Sequence, residues 1–80
     1  MADETAAEIA QHFTAMGHSV DLIEGIDDGS QYVDETDAEK QACVDRNVEH
    51  LEIMKTRDYW TSEDFTAVDA AIVTGKAYTP

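Results

Sequence analysis

The sequence predicts an all-α fold: a small three-helix bundle, or a helical hairpin plus a long N-terminal helix, with an acidic loop between helices one and two. Three observations predict it. Ala6, Ile9, Phe13, Met16, Val20 and Ile23 follow at spacings of three, four, three, four and three, one stripe along a helix and close to a coiled-coil seam. Thr-x-x-Glu, the capping box that opens a helix, occurs at Thr5–Glu8 and again at Thr36–Glu39. A third start signal follows Trp60, where Thr61 precedes Ser62, Glu63 and Asp64.

The first helix is expected over about residues 5–24. Its start is the Thr5 box, with Asp3 and Glu4 adding negative charge where the helix dipole favours it. Gly25 is its expected stop. Gly17 lies inside, as a close crossing or a break, and a single continuous helix is the reading adopted. Residues 25–35, GIDDGSQYVDE, lose the helical period and form the acidic loop, with Asp28-Gly29 as a turn dipeptide and Ile26, Tyr32 and Val33 as apolar anchors.

The second helix is expected over about 36–57, uninterrupted by Gly or Pro, with Cys43 or Val44, Val48, Leu51 and Met54 buried. The third is expected over about 61–75, capped by Thr61 and ended by Gly75, with Phe65, Val68, Ala71 and Ile72 inward. In that register Trp60 and Phe65 occupy the two positions of a hydrophobic staple, which fixes how the chain enters a helix. RDYWTSEDF, residues 57–65, holds three of the six aromatics and is therefore read as a corner between helices two and three. Tyr59 either covers that corner or stands exposed.

Eighty residues make one small domain, 1–80. A chain of this size buries about 60–65% of its unfolded surface, so its core is thin and oligomerisation is a common remedy. A seam six positions long exceeds what a short helical hairpin needs, which points to docking on a second copy or on another protein. The single cysteine, Cys43, permits no intrachain disulfide and fits a reducing compartment. No apolar run approaches the ~18 residues of a membrane span. The acidic start, MADETAAEIA, has neither the basic segment nor the apolar block of a signal peptide.

The formal net charge is -13, and residues 1–39 contain no Lys or Arg. Direct binding to nucleic acid or an anionic membrane is disfavoured, because phosphate contacts come from basic side chains. The stretch 21–39 is the most acidic. It reads first as a solvated loop with flanking helix starts, second as a surface that meets a basic partner or mimics nucleic acid, and third as adaptation to salt.

No chemistry is indicated. His12, His18 and His50 form no His-Glu-x-x-His pair and have no cysteine at zinc spacing. Asp27, Asp28, Asp34 and Asp37 lack the calcium-loop pattern. Cys43 has no histidine placed in sequence to suggest a pair, and phosphate loops and serine-nucleophile motifs are missing. The expectation is no enzyme, no cofactor and no metal.

Residues 46–78 contain Asn47-Val48-Glu49-His50-Leu51, the aromatic pair before Thr61, and DFTAVDAAI…GKAY. This span resembles a segment of small acidic proteins of tailed bacteriophages, a family with no established catalytic residues. The resemblance implies a phage setting, in the virion or the host cytoplasm. The leading expectation is then a non-enzymatic structural or accessory protein that docks by its helices onto itself or onto a larger virion protein. Ile9, Phe13, Met16, Val20, Tyr59 and Trp60 are its candidate partner-binding residues, since aromatics dominate binding hot spots. The alternative is an acidic inhibitor of a host nucleic-acid enzyme, with Asp27, Asp28, Asp34 and Glu35 as the acidic surface.

Overall fold

The computed structural model describes residues 4–80. It contains three helices, α1 (Ala6–Asp28), α2 (Asp37–Lys55) and α3 (Thr66–Ala77). Each packs on the other two, and the molecule is elongated, 41 × 19 × 18 Å. A 23-residue helix is about 34 Å long, so α1 runs along most of that axis. The core consists of Met16, Ile23 and Ile26 from α1, Cys43, Val44, Val48 and Leu51 from α2, and Val68 and Ala71 from α3.

Both capping boxes form. The Glu8 and Glu39 amides donate to the Thr5 and Thr36 hydroxyls, while the Glu8 and Glu39 carboxylates accept the Thr5 and Thr36 amides. The helix ends differ from expectation, and in two cases a glycine explains why. Gly25 does not stop α1, which continues to Asp28 and ends at Gly29, in the left-handed conformation with φ 83°. Gly25 is instead buried, and a Cβ there would meet Gln31 Cγ at 2.7 Å. Gln31 folds back across it, donating from Nε2 to the Asp21 carbonyl at 3.2 Å. The loop between α1 and α2 is correspondingly shorter than 25–35, and Ile26 belongs to the helical core rather than to the loop.

Gly75 likewise lies inside α3, which runs on to Ala77. A Cβ at Gly75 would collide with Val48 Cγ2, with Val44 and Ile23 within 3.4 Å. The three helices meet at this point because it has no side chain. Gly17 is different: α1 passes through it unbroken, and a Cβ would meet nothing within 4 Å. The second helix ends at Lys55, two residues before the expected end.

The start of α3 is the largest departure. It begins at Thr66, not near Thr61, and Phe65 rather than Thr61 is its N-cap residue. Of the first-turn acids expected there, Glu63 serves the connector and Asp64 holds the first residue of α3 from outside the helix. The Glu63 carboxylate accepts the Thr61 and Ser62 amides, and Asp64 Oδ1 accepts both the amide and the hydroxyl of Thr66. Trp60 therefore does not act as a staple on α3. Its indole Nε1 donates to the Met54 carbonyl at 2.7 Å and closes the end of α2.

Candidate functional site

The six apolar candidates lie along α1 and on the connector between α2 and α3, and most are engaged within the chain. Met16 is fully buried in the core. Phe13 is half-buried and packs at 6.0 Å, centroid to centroid, on both Trp60 and Phe65. Trp60 meets Phe65 edge-on at 5.5 Å and Tyr59 at 4.8 Å. Tyr59 covers the corner, stacked on His12 at 5.5 Å. The N-terminal half of the α1 seam thus closes over the α2–α3 connector, while its C-terminal half packs on α2 and α3. Ile9 and Val20 are half-buried on the flanks of that seam.

This aromatic end carries one small polar network. Glu4 Oε1 lies 3.5 Å from His12 Nε2. Burial first, and then the Glu4 charge, hold the Tyr59 hydroxyl above its ordinary ionisation range. No local pattern could have marked His12 for this role, because its stacking partner comes from the connector beyond the next helix, α2.

The acidic candidates Asp27, Asp28, Asp34 and Glu35 are all exposed, at the end of α1 and in the connector that follows. Asp28 is used structurally. It accepts the Ser30 amide at 2.9 Å, and the Ser30 side chain first, then that amide, hold its carboxyl below the usual range. Tyr32 sits among these acids with φ 57°, a left-handed conformation unusual for an aromatic residue. The neighbouring Cys43 is the main influence that pushes the Tyr32 hydroxyl up. Cys43 is buried, and the Asn47 side chain donates from Nδ2 to its carbonyl at 2.8 Å. Val33 beside Tyr32 is 64% exposed.

Among the described residues, open grooves run between the helices. The α2–α3 groove includes Ile72 and Val73, and its charges are paired: Lys55 with Asp69, and Lys76 with Glu52 nearby. A more polar one lies around Gln41, Asp45, Glu49 and Lys76. A third, about 410 Å³, separates α1 from α3. Phe13, Val20 and Val68 give it apolar walls, Gly17 and Ala67 leave it open, and Asp21 and Asp64 stand at its edge. Sequence periodicity does not reveal this groove. Gly17 is its only signal, and a glycine inside a helix has several readings.

Among the described residues, no group of three or more His, Cys, Asp or Glu is placed to hold a metal ion, and no helix is long and apolar enough to cross a membrane. Comparison of the chain with protein-family models, curated proteins and solved structures finds no match.

Proposed function

We propose that the chain is a non-enzymatic structural or accessory protein of a tailed bacteriophage, acting by docking onto a larger protein with a basic surface. The observation that supports this best is the distribution of charge over the fold. Eighteen acidic side chains stand against five basic ones. Lys55 and Lys76 are already engaged with Asp69 and Glu52 across α2 and α3. The whole of α1 and the connector after it have no Lys or Arg.

Docking onto itself through α1 would bring two such surfaces together, and like charges across a symmetric interface repel. A basic partner reverses the sign of that effect and accelerates encounter. Of the two docking modes, charge favours the larger virion protein over a second copy.

The same exposed acids, Asp27, Asp28, Asp34 and Glu35, support a second reading, an inhibitor that occupies the basic site of a host nucleic-acid enzyme. Mass spectrometry of purified phage particles, with this chain quantified against the major capsid protein, separates the two. A fixed and substantial ratio supports the virion component. Abundance in infected cells with absence from particles overturns it and favours the inhibitor.

A further inference from the structure

The groove between α1 and α3 has no Lys or Arg in its lining, while Asp21 and Asp64 stand at its edge. Glu24 lies three residues beyond Asp21 on α1, so helical spacing continues that acidic edge. None of Asp21, Glu24 and Asp64 has a cation within 4 Å among the described residues. The α2–α3 groove is also apolar, but its lining includes Lys55, already paired with Asp69.

The α1–α3 groove is also unfilled for a reason that internal packing does not supply. Gly25 and Gly75 each make room for a side chain of the same molecule, whereas the space over Gly17 receives nothing. A mid-helix glycine weakens its helix relative to alanine. Here that weakening leaves a trough with Phe13, Val20 and Val68 as its apolar walls.

We infer that this α1–α3 groove is the docking site for a basic amphipathic helix of the partner protein; the inference rests on the reading above that the partner is basic. Apolar side chains at i, i+3 or i+4, and i+7 of such a helix enter the trough over Gly17 and Ala67. Its flanking Lys and Arg meet Asp21 and Glu24 on the α1 side and Asp64 on the other. Burial of the walls supplies affinity, and the charges supply orientation and salt dependence.

The test uses the full chain and a synthetic, Trp-free helical peptide of about 18 residues, long enough to populate a helix, with Leu at the two core positions of each heptad and Lys elsewhere. Binding is read by anisotropy of labelled peptide and by backbone amide shifts. The expected result is shifts concentrated at 14–21 and 64–68, with affinity weakened about tenfold or more in Gly17→Leu, a change of at least ~1.4 kcal/mol. Circular dichroism checks that this variant keeps its helices. Asp34→Asn with Glu35→Gln, which removes charge from the connector instead, is expected to weaken binding less than about threefold, as for charges outside an interface. Equal binding by wild type and Gly17→Leu, with loss in the connector variant, overturns the groove and leaves the basic-partner reading standing. No binding by the wild type at low salt overturns both.

Discussion

The two connectors do the same topological work by different physics. Residues 29–36 reverse the chain between α1 and α2 mainly with local devices, Gly29 in the left-handed region, Asp28 on the Ser30 amide and the Thr36–Glu39 box, with Gln31 alone reaching back along α1 to the Asp21 carbonyl. They leave Tyr32 39% and Val33 64% exposed. Residues 56–65 reverse the chain between α2 and α3 by burying rings. Trp60 caps α2 and meets Phe13, Tyr59 and Phe65, so a segment far away in sequence holds this turn. A turn made of local bonds can present its side chains to a partner. A turn made of tertiary contacts has already used them.

The largest expected effect therefore falls on the second connector. Trp60→Ala removes the ring contacts to Phe13, Tyr59 and Phe65 and leaves the Met54 carbonyl without its indole donor. It should destabilise the fold by about 3 kcal/mol, the low end for truncating a large aromatic because Trp60 is only half-buried. Urea unfolding followed by helical circular dichroism measures this. A loss under about 0.5 kcal/mol, typical of a surface position, would place the turn's stability elsewhere and dissolve the contrast.

Acid tests both connectors together. Asp28, Glu39, Glu63 and Asp64, in or beside the connectors, and Glu8 at the start of α1 all have carboxyls below their ordinary values, held there first by the Ser30 and Thr66 side chains for Asp28 and Asp64 and by backbone amides for the three Glu. Groups lowered in the folded state contribute stability above their unfolded values, near 4.5 for Glu and 3.8 for Asp, and lose it as pH falls through the folded ones. Protonating the remaining carboxylates acts oppositely by relieving repulsion. The expected urea midpoint holds or rises from pH 7 towards 5 and then falls below about pH 4. A midpoint still rising at pH 3 would mean that repulsion outweighs the caps.

A pair of threonines compares what looks alike in sequence. Thr36→Ala removes a formed capping box and should cost about 1 kcal/mol. Thr61→Ala, at the expected cap of the third helix, should cost less than about 0.5 kcal/mol, because α3 starts only at Thr66. Equal costs would mean that the Thr61 hydroxyl caps a helix in solution.

The same distinction explains what is legible in the sequence. The three helices, both capping boxes and nearly the whole core follow from periodicity and short-range side-chain bonds. Gly25 and Gly75 read as stops because a glycine that ends a helix and one that admits a neighbour are identical in sequence. Only Gln31 and Val48, brought there by the fold, tell them apart. Trp60 and Phe65 do form a corner, but not a staple, since the carbonyl that Trp60 caps belongs to the preceding helix. The seam on α1 is visible as a stripe. That its first half closes on the connector is not, because the stripe carries no information about its cover.

The smallest expected effect sharpens the first connector. Val33→Ser should change stability by less than about 0.5 kcal/mol, as for a side chain mostly in water in both states. The measurement is the urea midpoint at two protein concentrations about a hundredfold apart. A loss well above that bound, and larger at the higher concentration, would mean that Val33 is covered by a second copy, since only an associating species has concentration-dependent stability. It would also mean that two connectors rich in acid approach each other despite their charge, and would undo the argument for a larger, basic partner. An unchanged midpoint at both concentrations leaves Val33 uncovered in the free chain, beside Tyr32 and within a stretch of acids that contains no Lys or Arg.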